Sequence, residues 1–401
     1  MHIFRPIVLQ ALTRVDEQFG ATSISLAKKW SRDRLVFYVD HPYTFKDLTN
    51  EAYKEQLKKR KALWKNDVFY FQPFDDYPNF INICPPPVFP INFLPPGLIY
   101  NQLKTKNCKT IWNSIDTVLD RFHVKDNFVY INSFNPVYFS VHSKKKYIMS
   151  IYHCVDLIEG EKYIAKHGVV AEKKAAENAD LVITTSDDLR YRLEPYAKQI
   201  ETVYNGADYD FFQRDQYSES HLLKNIPKGK RITYVGNIGL RINYKLLEKI
   251  VSNDPELQLI LVGPINQREF RGGKLLDYDN VHYLGPQKME DVPDLIYYSD
   301  ACIIPFLCND LTQCIYPLKI NEYLSVGKPV LTTPFTNLDD FKDVIHIYND
   351  DASFVEELTK ALKDSKEQVT QRKKIAKNNK WENRASQFHN IYLNKINRNA
   401  Q

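Results

Sequence analysis

The run Tyr234-Val235-Gly236-Asn237-Ile238-Gly239-Leu240-Arg241 reads as a strand that ends in two glycines before a helix starting near Asn243. Glycine at such a turn lets backbone N–H groups approach an anion. A helix N-terminus and the Arg241 guanidinium would add positive potential, so Gly236, Asn237 and Arg241 form a candidate phosphate cradle. The plainer alternative is an ordinary strand-to-helix turn. A second constellation is Tyr316-Pro317-Leu318-Lys319-Ile320-Asn321-Glu322-Tyr323-Leu324-Ser325-Val326-Gly327-Lys328-Pro329-Val330. Pro317 suits the first turn of a short helix, Gly327 its left-handed end, and 330–333 the following strand. Lys319 and Glu322 then lie on a helix whose N-terminus opens at the carboxyl edge of a parallel sheet, where ligands bind. There a carboxylate can accept two ribose hydroxyls, while Lys319 and the free N–H groups at the helix start around Pro317 and Leu318 meet a diphosphate. The alternative is a surface helix carrying an incidental ion pair.

Such groups need parallel strands whose carboxyl ends share one edge. Short β-branched and aromatic runs alternate with helical stretches along most of the chain, which predicts an α/β fold of stacked β-α units. In the first half, strands are expected near 7–9, 35–39, 68–71, 128–131, 147–152, 181–184 and 202–204, with helices such as 23–30 and 169–178. After a polar stretch at 213–230 the alternation restarts, with strands near 232–235, 257–262, 281–284, 301–304, 330–333 and 344–347. The restart predicts a second domain. Helices over 352–364, 366–376 and 381–397 follow. The segment Cys84-Pro85-Pro86-Pro87-Val88-Phe89-Pro90, with Leu94-Pro95-Pro96-Gly97 after it, cannot be regular helix and reads as a long ordered loop.

A chain of 401 residues, 43% hydrophobic and 26% charged, with 13 Gly and 21 Pro, is long enough for two sizeable globular domains. No apolar run approaches the ~20 residues that cross a bilayer, and the amino terminus lacks a signal peptide's apolar core and cleavage site, so a cytoplasmic location is expected. Six cysteines without a Cys-x-x-Cys fit reduced thiols rather than a disulfide framework or a zinc site. Residues 1–200 hold 28 Lys and Arg against 22 Asp and Glu, whereas the rest holds 26 against 27. Lys54-Glu55-Gln56-Leu57-Lys58-Lys59-Arg60-Lys61, with Leu63 and Trp64 behind it, is either a solvated face or a contact for an anionic lipid surface on the inner side of a membrane. No nucleic-acid recognition motif accompanies the charge, so no nucleic-acid partner is expected.

The order and spacing of these pieces resemble the GT-B-fold glycosyltransferases of the group-1 superfamily, in particular a branch similar to teichuronic-acid and capsule-type sugar transferases. The resemblance is strongest over 280–334. It includes Asp180-Leu181-Val182-Ile183-Thr184-Thr185-Ser186, Tyr204-Asn205-Gly206-Ala207-Asp208, Tyr234-Val235-Gly236, Leu261-Val262-Gly263-Pro264 and Trp381. It implies two doubly wound Rossmann-like domains facing a central cleft: an acceptor-binding domain at 1–205, a linker at 206–229, a nucleotide-sugar-binding domain at 230–380, and a final helix at 381–401 packing back on the first domain. It also implies transfer of a sugar from a UDP- or GDP-sugar to a glycan or lipid-linked acceptor in cell-surface polysaccharide biosynthesis, with retention. A nucleotide-sugar epimerase and a catalytically silent sugar-nucleotide-binding scaffold are the rivals.

Position by position, Glu322 matches the second glutamate of the family's Glu-x7-Glu motif, implied to hold the ribose. The first glutamate falls at Cys314, which cannot accept sugar hydroxyls as a carboxylate does. Asp310 or Thr312 could take its place. The cluster Tyr152-His153-Cys154-Val155-Asp156 lies where the family often carries a residue that touches the donor sugar, which makes His153 and Asp156 catalytic candidates. The triplets Asp208-Tyr209-Asp210 and Asp277-Tyr278-Asp279 could suggest a metal clamp. The resemblance implies instead that no metal or other cofactor is needed, with Arg241, Lys319 and helix dipoles neutralising the leaving diphosphate.

Overall fold

The structure is a computed structural model and describes residues 5–17, 21–140, 143–160 and 162–399. It divides into two units. One runs to Tyr204 and resumes at Arg384, and the other is Asn205–Asn383.

The first unit is built on strands β1 (Ile7–Ala11), β2 (Val36–Val39), β3 (Tyr70–Phe71), β4 (Phe80–Ile83), β5 (Phe128–Ser133), β6 (Tyr147–Cys154), β7 (Leu181–Thr184) and β8 (Ile200–Thr202). They are arranged β3-β4-β2-β1-β5-β6-β7-β8. All pairs are parallel except β3 with β4. Helices cover both faces, so β1 and β2 read as unbroken apolar runs (Ile7-Val8-Leu9 and Val36-Phe37-Tyr38-Val39) and are wholly buried. The helix Leu98–Arg121 turns Ile111, Trp112, Ile115, Val118 and Leu119 onto Val8, Phe37, Ile81 and Tyr130. Neither this helix nor β4 stands out in the sequence, because both adjoin the proline-rich segment. That segment is an ordered loop, tied down where Val88 N–H donates to Tyr43 O (2.9 Å) and Phe45 N–H to Val88 O (3.0 Å).

The basic stretch forms the helix Lys54–Lys65, but it does not present Leu57, Leu63 and Trp64 as an outward apolar face. Leu57 and Arg60 are buried, and Arg60 reaches Asp16 and Asp40, each at 2.6 Å. Trp64 Nε1–H donates to Cys84 O at 3.1 Å. These side chains serve the core, while Lys54, Lys58, Lys59, Lys61 and Lys65 stay exposed.

The second unit contains β9 (Arg231–Val235), β10 (Gln258–Val262), β11 (Val281–Gly285), β12 (Ala301–Ile304), β13 (Val330–Thr332) and β14 (His346–Ile347). All are parallel in the order β11-β10-β9-β12-β13-β14. Strand order therefore reverses between β9 and β12, the switch point at which doubly wound sheets hold ligands. The stretch 206–229 belongs to this unit and carries the short helix Tyr209–Phe212; Arg231 gathers the Leu223 and Ile226 carbonyls.

The final helix, Trp381–Asn399, belongs to the first unit from Arg384 onward. Trp30 Nε1–H donates to Ala385 O (3.0 Å) and its ring meets Phe388 edge-on at 5.0 Å, while Arg34 donates to the Tyr392 hydroxyl at 3.0 Å. Among the described residues no helix is long and apolar enough to cross a membrane.

Candidate functional site

At the switch point of the second sheet the chain leaves β9 through Gly236. It is crossed there by the turn after β10. Gly263 has φ +133°, and a Cβ on it would lie 2.0 Å from Gly236 O, so only glycine lets the two turns pass. Gly236 N–H donates to Val262 O (2.9 Å), and Ile238 N–H to Pro264 O (2.9 Å). On the other side Asn243 N–H donates to Pro305 O (2.7 Å) and Leu307 N–H to Arg241 O (2.8 Å). The turn from Gly236 to Asn243 is thus laced between the loops after β10 and β12. Asn237 is exposed at its tip, and the Tyr234 hydroxyl donates to Asn237 O at 3.0 Å. Burial pushes the Tyr234 hydroxyl well up, and the Arg241 charge offsets part of that. The helix Tyr244–Asn253 opens at Asn243, whose side chain accepts from Leu246 N–H at 3.2 Å.

The helix Leu318–Val326 is pinned to the end of β9 by buried Tyr323, whose hydroxyl accepts from Val235 N–H at 2.9 Å. Gly327 ends the helix at φ +92°, as expected. One turn of it carries both predicted charges, and Lys319 Nζ bonds Glu322 Oε2 at 2.8 Å. Their side chains are one-third and about one-seventh exposed, so the pair is open to a ligand on one side. Other predicted contacts are differently employed. Pro317 is the residue before the helix rather than its first member and has no N–H, while Leu318 N–H already donates to Tyr316 O at 2.9 Å. Thr312 is buried, and its hydroxyl is spent on the Leu307 carbonyl and on capping the short helix Asp310–Gln313 with Asn309. That leaves Asp310, which is exposed, as the polar group near buried Cys314.

In the first unit His153 ends up inside rather than on an edge open to solvent. It is 1% exposed, its Nδ1 lies 3.2 Å from Ser133 Oγ, and Phe388 meets its ring edge-on at 5.3 Å. Desolvation holds the imidazole down at about 3. Asp156 is half-buried, with Oδ1 accepting from Leu157 N–H at 2.9 Å.

A pocket that sequence reasoning missed opens at the carboxyl edge between β1 and β5, where this sheet also reverses its order. It encloses about 520 Å³ including its mouth and is lined by Leu12, His41, Tyr100, Asn135, Ile164 and His167, among others. Asn135 Nδ2 donates to Ala11 O (3.0 Å) and lies 3.3 Å from His41 Nδ1. Desolvation lowers His41 to about 3, so the ring is neutral; with Nδ1 accepting from Asn135, its proton sits on Nε2. The available signal was positional, since His41 and Asn135 each follow a predicted central strand by two to four residues. Among the described residues no group of three or more His, Cys, Asp or Glu is gathered as a metal site.

Two doubly wound sheets, parallel but for β3 with β4, each with a switch point, have the GT-B arrangement, and residues 229–364 match the family of glycosyl transferases group 1. The chain thus has the GT-B fold, and its match to the group-1 glycosyl transferases covers about a third of its length. Among individual proteins, it is 26% identical over 168 residues to TuaH of Bacillus subtilis (strain 168), named for glycosyl transfer in teichuronic acid biosynthesis. That match covers 41% of this chain and 42% of the relative, so the chain spans about two-fifths of that relative's length. Its fold is similar to sucrose-phosphate synthase from Thermosynechococcus elongatus (TM-score 0.68, 16% identity, 98% and 99% of the two chains). It is likewise similar to Anabaena Alr3699/HepE, solved with UDP and glucose (TM-score 0.63, 15% identity, 96% and 98%).

Proposed function

We propose that this protein transfers a sugar from a nucleotide-diphosphate donor, a UDP- or GDP-sugar, to a glycan or lipid-linked acceptor in cell-surface polysaccharide synthesis, with retention and without a metal. The observation that carries this reading is the carboxyl edge of the second sheet, where the crossed turns at Gly236 and Gly263, Arg241 and the Lys319–Glu322 helix converge. Glu322 accepts the ribose hydroxyls. Lys319, drawn off Glu322, joins Arg241 on the diphosphate and stabilises its charge as the bond from the sugar anomeric carbon to the diphosphate oxygen breaks. The acceptor hydroxyl then bonds to that carbon on the same face and passes its proton to the departing diphosphate oxygen. In the first unit Asp156 is the catalytic candidate, and buried His153 acts as a positioning residue for the strand end. The pocket beside His41 and Asn135 takes the acceptor, and the protein works peripherally at the inner face of a membrane.

The test is a thermal-shift and turnover series with UDP, GDP and their sugars, since a ligand that binds the folded state raises its stability. The expected result is a nucleotide-dependent shift together with sugar transfer or slow donor hydrolysis. A shift without turnover under any acceptor condition favours the scaffold, which buried Cys314 at the motif's first acidic position supports. Free epimerised nucleotide sugar favours the epimerase.

A further inference from the structure

Among the described residues, three of the four most exposed large hydrophobic side chains lie within seven residues of one another: Phe93 at 71%, Leu98 at 81% and Ile99 at 67%. Exposed apolar groups scattered singly need no explanation, but a cluster at the tip of an ordered loop does. The tip is held rigidly. Lys166 Nζ donates to Phe93 O at 2.9 Å, His167 Nε2 lies 3.0 Å from Leu94 O, and the His167 ring stacks on Tyr100 at 4.0 Å. One turn beyond Lys166 and His167, the same helix exposes Val170 at 60%.

Along its own stretch of chain the tip carries charge of one sign. Residues 78–115 contain no Asp or Glu, yet they include Lys104, Lys106 and Lys109. Lys106 Nζ sits 4.7 Å from the Phe89 ring, on which Phe45 packs edge-on at 5.3 Å beside Lys46. Lys166 adds a further cation at the tip. Exposed apolar side chains, with Lys166 at the tip, Lys104, Lys106 and Lys109 on the helix that follows and no carboxylate along their own stretch of chain, match the layering of an anionic leaflet, with acyl boundary within and negative headgroups around. A protein partner's apolar pocket would not call for cations alone along that stretch.

We propose that the 93–99 tip inserts into the interfacial layer of an anionic membrane and is the protein's membrane contact, in place of the basic helix Lys54–Lys65. The pocket beside His41 and Asn135 shares Ile91, Asn92, Tyr100 and His167 with the tip and its supports. An acceptor carried in the same leaflet would therefore meet the pocket directly. That last clause rests on the transferase reading; insertion of the tip does not.

The test is co-sedimentation of the full chain with vesicles of phosphatidylcholine, with and without 30 mol% phosphatidylglycerol, about that composition being typical of an anionic leaflet. The wild type should bind the anionic vesicles and remain partly bound as salt rises. Phe93→Ser/Leu98→Ser/Ile99→Ser should lower the partition coefficient at least about tenfold with an unchanged thermal midpoint, because these side chains are exposed. Replacing Lys54, Lys58, Lys61 and Lys65 by Gln should change it no more than about threefold. Leu98→Trp should be quenched by brominated lipids. Absence of wild-type binding to anionic vesicles, equal binding by the triple variant, or a concentration-dependent dimer that the triple variant abolishes would each overturn the proposal. The triple variant should keep the nucleotide-induced thermal shift, so failure here and failure of the donor-site reading are separately visible.

Discussion

Lys319 and Glu322 neutralise each other at 2.8 Å, and this sets what their removal should do. A surface ion pair of this exposure contributes little to stability, about 0.2–1 kcal/mol. Glu322→Ala should therefore leave the thermal midpoint almost unchanged while weakening nucleotide binding by about 1.5–3 kcal/mol, roughly ten- to a hundredfold in Kd. Calorimetric titration with UDP and GDP checks this, and an unchanged Kd for both removes Glu322 from the site. The spacing of this pair was legible because i, i+3 residues on a helix face each other whatever the tertiary context. The fate of Thr312 and His153 was not, since a hydroxyl spent on a cap and an imidazole covered by Phe388 depend on partners far off or hidden in the turn.

Burial gives two residues of the first unit opposite pH signatures. Desolvation holds His153 at about 3, below its unfolded value near 6.5, so the unfolded chain binds the extra proton and stability falls as pH drops from 6.5 toward 3. Glu172 accepts from the Tyr152 hydroxyl at 2.7 Å and is pushed up to about 7 by its burial. Its folded value lies above the unfolded one, so its contribution is complete below about 4.5 and is lost as pH rises through 7. Glu172→Gln should raise the midpoint at pH 8 and do little at pH 5, read by urea unfolding at both. The reverse order would mean that the carboxylate form is the stabilising one.

At the scale of elements, the crossing of the turns after β9 and β10 is the tightest constraint on the second unit. Gly263→Ala would put a methyl carbon 2.0 Å from the Gly236 carbonyl in a backbone region that L side chains rarely adopt. The turns must part, which should cost about 1–3 kcal/mol of stability and carry away nucleotide binding with it. Circular dichroism melting and UDP titration of the same variant check both; a full-affinity variant would show that the cradle tolerates displacement. The glycine-ended strands were visible in the sequence, and so was the restart of the β-α alternation, because parallel strands are continuous apolar runs. The inward side of the helix Lys54–Lys65 was not legible for a definite reason. Its charge pattern suggests a solvated face, yet Arg60, three residues from Leu57, is drawn inward by Asp16 and Asp40. Arg60→Leu should accordingly destabilise the first unit by about 3–5 kcal/mol at neutral pH, by leaving the Asp40 carboxylate buried without its partner.

For the whole molecule, the chain leaves the first unit at Tyr204, folds the second, and returns at Arg384. Each unit has its own sheet and core, so the returning segment belongs energetically to a unit whose other residues are nearly two hundred positions earlier. Phe388 and Tyr392 are both at most 2% exposed and cover Trp30, Arg34 and His153. Deleting one buried aromatic side chain costs about 3–5 kcal/mol. Truncation after Asn383 removes both and should therefore exceed a typical domain's margin of about 5–15 kcal/mol or consume most of it. The second unit keeps its own closure, where Trp381 N–H donates to Ala207 O (3.2 Å) and Ala207 N–H to Asn379 O (3.0 Å). Scanning calorimetry of the truncated chain should consequently show the first unit's transition lowered or lost and the second's retained. Nucleotide at 100 times its Kd should stabilise only the second, by about 2.7 kcal/mol. A single transition that truncation and nucleotide move together would show that the two units unfold as one.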